Sequence, residues 1–471
     1  MAADTHAPGF SALGRLLVLR ERLIARAALV CDWQLFGFAL LWVICGGLLL
    51  QLVVLPYLAP SLHAGHGLLK RGDWVRFHRF AVKQAALIAE YGWGRWELRP
   101  AGLYPAGMAS VMYVLLKPSP WAVLPLNGAL FAVAVVATRR TIAAMVGSRG
   151  AALLGLAPFF LFPSFVPIWG QIHRDVTTGA GFSLTLCALA LSRPADGRRY
   201  PSWLLALLFG CGMGLVWLGR PYAQALVVVS AMAFVAVMAV TDRTYGRRIV
   251  ALIAVGVLLA AVSFTARVSR TSGLRLGRSA TPEMIRDKAQ LRHEECRPLP
   301  TGARVDLGLF ALCEERERFK ESYQAAGSAI DLDVSLRSPI EFALYVPRAV
   351  EVAVFEPGPA RWGRSASPIG RIGVYLVPFE MLTVYAGLCL LAFRAARGRV
   401  RRETWAVIVF CVVYGAIYVY GVPNLGALYR MRAFAFATMA GACIGAILAP
   451  ASIALRPNAP EAATLGPSRP V

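Results

Sequence analysis

The chain has 471 residues, of which 57% are hydrophobic and 16% charged, and 49 Lys+Arg against 26 Asp+Glu give a formal charge of +23. A soluble domain carries roughly 25% charged residues, and the apolar residues here fall in blocks of about 18–22, the length of a helix that crosses a bilayer. These figures exclude a soluble globular enzyme and a disordered chain. The positive excess leaves four meanings: nucleic acid, anionic lipid, a phosphorylated ligand, or topology signals.

Residues 1–33 hold Arg15, Arg20, Arg22 and Arg26 ahead of the first apolar block. They read as a cytoplasmic N-terminal segment without a cleavable signal peptide. Ten spans are predicted, at 34–58, 120–138, 152–169, 176–192, 202–218, 222–241, 249–266, 372–393, 403–421 and 430–450. Arg139, Arg140 and Arg149, then Arg193, Arg198 and Arg199, then Arg243, Arg247 and Arg248 fall on one side, as does the dense run from Arg394 to Arg402. Residues 104–116 are apolar, but about 13 residues reach only ~20 Å of a ~30 Å hydrocarbon core. Counting them as a span would also turn the later arginine clusters outward, so they read as a re-entrant or interfacial helix on the outer side.

The expected architecture is therefore an all-α polytopic membrane protein of the bacterial inner membrane with both termini cytoplasmic. A transmembrane module covers 34–266 and includes an outer loop at 59–119. A periplasmic loop domain follows at 267–371, then C-terminal transmembrane helices at 372–450 and a disordered, Pro/Ala-rich tail at 451–471. No repeat of 20–50 residues is present. The basic residues are spread over connectors on both sides of the membrane, with no basic stripe on a soluble domain, so nucleic acid is not expected as a partner.

Of nine cysteines, only Cys296 and Cys313 lie in a polar region, and both fall in the 267–371 domain. In an oxidising periplasm they are the natural disulfide pair, with two unpaired thiols as the alternative. No CxxC or His/Cys cluster suggests zinc.

Charged residues at a membrane boundary are costly and so mark candidate sites. Asp73, in Gly72-Asp73-Trp74, can act as a general base toward a sugar hydroxyl or can head a helix as its cap. His173-Arg174-Asp175 can bind a phosphate through Arg174, with Asp175 orienting it or binding a metal, or can form a boundary turn. Arg220, in Gly219-Arg220-Pro221-Tyr222, has almost no loop around it and suits a lipid phosphate or an interfacial anchor. Arg430 and Arg432 open the last span on the side where topology rules call for no positive charge, and guanidinium groups pair bidentately with diphosphate oxygens.

These features together resemble the GT-C superfamily, integral-membrane glycosyltransferases that use polyprenyl-phosphate-linked sugars. The likeness is carried by an aspartate in the first outer loop, the Tyr104-Pro105 helix, the stretches Gln171 to Asp175 and Tyr345 to Trp362, and the Asn424 to Arg432 entry to the last span. It is most similar to members found in bacterial surface-polysaccharide gene clusters. The resemblance implies Asp73 as catalytic base, with Asp175 sharing that role, and Arg174, Arg220, Arg430 and Arg432 as lipid-phosphate ligands. It further implies substrate contacts from His173, Tyr104, Arg348, Asn424 and Tyr429, a polyprenyl-phosphate-linked sugar as donor and a glycan acceptor. The adjacent acidic pair of many members is absent. No cofactor is called for, and a divalent metal is left open. A surface-polysaccharide polymerase or ligase acting on lipid diphosphate-linked oligosaccharide is the alternative. A lipid-linked solute transporter is a further one, although inverted repeats are not evident and charges inside spans are almost absent.

Overall fold

The computed structural model describes residues 12–70, 72–193, 200–241, 306–323, 327–362 and 368–449. The expected span at 249–266, Cys296 and the 451–471 tail lie outside the described residues. Every regular element among those described is helical, and only two isolated β-bridges occur. Six helices are long and apolar enough to cross a membrane, or seven if one bent pair is a single span. The protein is an all-helical, multi-pass membrane protein.

Helix α1 (Ala12–Leu29) leads into α2 (Asp32–Leu49), which continues as a π-helix over Leu50–Leu58. The outer-loop segment forms α3 (Asp73–Tyr91) and α4 (Tyr104–Leu115), and α5 follows at Leu124–Val146. Asp32, in the first turn of α2, pairs with Arg139 at 2.9 Å and Arg140 at 2.7 Å near the far end of α5. These arginines, predicted only as topology signals, thus also tie α2 to α5.

The expected span at 152–169 is instead three short helices, α6 (Arg149–Leu154), α7 (Ala157–Leu161) and α8 (Phe165–Trp169). Pro158, Pro163 and Pro167 cannot donate to a continuous helical ladder, which accounts for the breaks. The broken segment is wedged between neighbours: Phe160 packs on Phe38, with ring centroids 5.3 Å apart, and Phe162 on Phe379 at 6.4 Å. Helix α9 (Asp175–Leu191) is apolar but 17 residues long, α10 spans Ser202–Gly219 and α11 Ala223–Thr241.

Further along, α12 (Asp306–Tyr323) and α13 (Pro339–Phe355) precede α14 (Pro368–Ala396) and α15 (Arg402–Gly421). The predicted last span is a pair, α16 (Leu425–Met431) and α17 (Ala433–Leu448), bent by 60°.

Helix α4, at 12 residues, packs on α3. Trp74, Phe77, Ala81, Ala109 and Tyr113 form a separate small core, worth about 1.5–3 kcal/mol for each large apolar side chain buried. His78 lies 2.6 Å from the Tyr113 hydroxyl within it, and burial together with His66 pushes its imidazole down to about 4.

The α9–α10 contact sets the position of the site. A Cβ on Gly212 would lie 2.4 Å from Thr185 Oγ1 and 2.8 Å from the Gly181 carbonyl, and one on Gly219 2.3 Å from Thr178 Oγ1. Small residues therefore let the two backbones touch, and the chain leaves that seam at Arg220. A Gly212→Val variant is expected to force the helices apart, with an overpacking cost of about 1–3 kcal/mol. Thermal unfolding in detergent checks this as a lowered Tm.

Candidate functional site

One end of the bundle gathers several of the residues singled out in sequence. The loop after α8 is held by three side chains that the sequence reading had not weighed as supports. Asn127 donates to the carbonyls of Trp169 (2.9 Å) and Gln171 (2.7 Å), and Gln51 donates to that of Gly170 (2.8 Å). Gln171 donates to the Gly67 carbonyl and accepts the Leu69 N–H, joining this loop to the one that precedes α3. Each such buried bond would leave an orphaned polar group if cut, at about 1–3 kcal/mol, so the backbone carrying His173-Arg174-Asp175 is fixed.

Asp175, the first residue of α9, has a side chain 4% exposed. Its Oδ1 accepts Arg220 Nε at 2.6 Å and is ion-paired with Nη2 at 2.5 Å, while Arg430 Nε stands 3.3 Å from Oδ2. Burial alone would raise this carboxyl. Arg220, His173, Arg430 and Arg174 outweigh it and hold the group well below the usual carboxylate range. Arg220 also donates to the Tyr222 hydroxyl at 2.6 Å.

Asp73 differs in exposure. Its side chain is 43% accessible, with Arg174 Nη2 3.4 Å and Arg430 Nη2 3.7 Å from Oδ2. Gly72 is the N-cap of α3, so Asp73 heads the helix from within its first turn and turns its carboxylate to the two arginines. Arg430 thereby links the exposed carboxylate to the buried one. Three guanidinium groups against two carboxylates leave one net positive charge, and Arg174 and Arg430 keep side chains 34% and 26% exposed.

His173 is buried beneath them. Its Nδ1 accepts the Asp175 N–H at 3.0 Å, which places the ring proton on Nε2. That Nε2 is buried and meets no hydrogen-bonding partner among the described residues. Burial pushes the imidazole down to about 3 against the pull of Asp175, with Arg430, Arg220 and Arg174 adding to the fall. A neutral imidazole is thus packed beneath the charged groups. Trp74 packs on the ring at 6.0 Å between centroids. Tyr104 is buried at the start of α4 and bonds Thr177, in the first turn of α9.

Asp73, His173, Arg174, Asp175, Arg220 and Arg430 are therefore one cluster, with Tyr104 beside it. The other candidates are engaged elsewhere. Arg432, at the α16–α17 bend, is buried and donates to the carbonyls of Val352, Ala353 and Glu356, closing the end of α13. Asn424 caps α16 by accepting the Ala427 N–H at 2.9 Å, and it also accepts the Ser328 hydroxyl. Tyr429 donates its hydroxyl to Glu380. Arg348 pairs bidentately with Asp331, at 3.0 and 3.2 Å, and Tyr345 donates to the same carboxylate at 2.6 Å. Arg316, fully buried, donates to the carbonyls of Asp331, Val334, Val419 and Tyr420 and so fastens α12 to the end of α15. Cys313 is disulfide-bonded; its expected partner, Cys296, lies outside the described residues.

Both carboxylates of the cluster already face guanidinium groups, and no group of three or more His, Cys, Asp or Glu suited to a metal ion occurs among the described residues.

Fold and site together define a multi-pass helical membrane protein that carries an arginine-rich, carboxylate-containing cluster at one end of its bundle. No family model, curated protein or solved structure matches the chain.

Proposed function

We propose that the protein is a GT-C-like integral-membrane glycosyltransferase of the bacterial inner membrane, with both termini cytoplasmic and the cluster on the periplasmic face. It moves a sugar from a polyprenyl-phosphate donor to a glycan or lipid-linked acceptor. The observation that carries this reading is the convergence of a half-exposed carboxylate, Asp73, with two accessible guanidinium groups, Arg174 and Arg430.

Arg174 and Arg430 take the donor phosphate, and the net positive charge of the cluster favours an anion there. Asp175 and Arg220 lie beneath and fix Arg430 in place. Asp73 accepts the proton of the acceptor hydroxyl as its oxygen bonds to the anomeric carbon. The bond from that carbon to the phosphate oxygen breaks, and the lipid phosphate leaves with the electron pair, its charge met by the arginines. His173, with its side chain fully buried beneath the arginines, braces the turn that carries Arg174 by accepting the Asp175 N–H. Arg432, Asn424, Tyr429 and Arg348 act as scaffold to this centre.

Membranes containing the protein, given a radiolabelled polyprenyl-phosphate sugar, are expected to yield a lipid or glycan product one sugar longer. Long chains formed from lipid diphosphate-linked oligosaccharide would establish the polymerase reading instead. No incorporation from any lipid-linked donor would overturn both.

A further inference from the structure

Glu380 lies in the α14 span, which runs Leu376–Ala396, and is 2% exposed. A carboxyl group at that depth is expensive and marks a role. Its two oxygens have different partners: Oε1 accepts the Ser164 backbone N–H at 2.7 Å, and Oε2 accepts the Tyr429 hydroxyl. Arg432 is not its counter-charge, because that guanidinium is turned to the carbonyls of Val352, Ala353 and Glu356.

Both partners lead directly to the cluster. Ser164 opens α8, and the chain passes from α8 into the loop that carries His173, Arg174 and Asp175. Tyr429 immediately precedes Arg430, which pairs with Asp73 and Asp175. The α8 segment is cut off by proline from the helix before it, and α16 is bent by 60° from α17. Neither short helix can be held in register by a long span of its own, so each needs a lateral anchor. Asn127 holds the far end of α8, and one carboxylate anchors the start of α8 and α16 together.

We infer that Glu380 is a positioning residue that holds the 164–175 segment and the Arg430 helix in a single frame from inside the membrane. Resting on the phosphate-binding reading above, the consequence is that Arg174 and Arg430 meet an anionic headgroup together. Because each oxygen serves one segment, the two links can be cut separately. Tyr429→Phe removes only the bond to α16. Glu380→Gln exchanges one acceptor oxygen for an amide and also removes the charge, so both links weaken.

The test is hydrogen–deuterium exchange of the full-length protein in lipid nanodiscs, with farnesyl phosphate binding as a second arm. Loss of a buried hydrogen bond to a charged acceptor corresponds to about a tenfold rise in local opening. Glu380→Gln is expected to raise exchange about that much in both 164–175 and 425–432, with α5 and α15 unchanged. Tyr429→Phe is expected to raise it in 425–432 alone. Farnesyl phosphate affinity is expected to fall about tenfold in Glu380→Gln. A uniform rise across the bundle, or a rise in neither segment, overturns the inference. If the wild-type protein binds no farnesyl phosphate, the phosphate reading fails while the exchange pattern still decides the role of Glu380.

Discussion

The Asp73→Asn variant is expected to fold and insert normally and yet lose sugar transfer by a factor of about 10²–10⁴, the usual contribution of a general base. The two halves of that expectation have separate physical grounds. Asp73 is 43% exposed and its arginine partners stand at 3.4 and 3.7 Å, so the stability it contributes is that of a surface pair, about 0–1 kcal/mol. Its dipole interaction with the start of α3 is similarly small. An amide at this position keeps size and hydrogen bonding but cannot take a proton from a hydroxyl. Transfer from a polyprenyl-phosphate sugar in membranes, measured alongside Tm, gives both numbers on one preparation. Undiminished transfer in Asp73→Asn would remove Asp73 from the chemistry.

Much of the cluster was legible because its residues break a rule that the rest of the chain obeys. Arginines at span mouths on the side that topology leaves neutral are conspicuous, and Arg174, Arg220 and Arg430 were found that way. The same rule could not separate Arg430 from Arg432. They are two residues apart, and only the 60° bend between α16 and α17 sends one to the carboxylates and the other to the end of α13. That difference depends on contacts about 80 residues away in sequence, as the separations for Arg432 show. Hydropathy likewise outweighed Pro158, Pro163 and Pro167 in the 152–169 block, although the prolines carried the break. Glu380 was the signal passed over: a lone carboxylate in an apolar run, the kind of residue that costs too much to be idle.

The positive excess also acquires a structural meaning. Several of its arginines are engaged within the fold: Arg139 and Arg140 share Asp32, and Arg316 and Arg432 are spent on carbonyls that helix ends and loops leave unpaired. Such arginines are part of the scaffold and offer nothing to a ligand. The cluster at Asp73 and Asp175 is different because two of its guanidinium groups remain accessible after their ion pairs are made. An anion approaching there need not displace a buried partner.

Asp175→Ala is expected to be the most damaging substitution in the cluster, for the opposite reason to Asp73. It leaves Arg220, whose side chain is 3% exposed, without its carboxylate. Uncompensated buried charge of this kind costs about 3–5 kcal/mol. Tm and the yield of folded protein report the loss directly. A paired substitution separates stability from chemistry. Asp175→Leu combined with Arg220→Met removes both charges at similar volume, a change that is often neutral or stabilising, while Arg430 retains Asp73 at 3.7 Å. The double variant is expected to recover Tm and remain without transfer, because Arg430 has lost the contact that fixes it. The pH dependence of stability should divide in the same way. His173 titrates near 6.5 when free and near 3 in the fold, so the unfolded chain binds more protons between those values. Stability therefore falls as pH drops through that window. Asp175, held below the ordinary carboxylate range, adds a further loss at its acid end. With His173 still buried, the double variant is expected to keep the first loss and to shed the second. Recovery of transfer together with Tm would show that Asp175 and Arg220 do not act on the site at all.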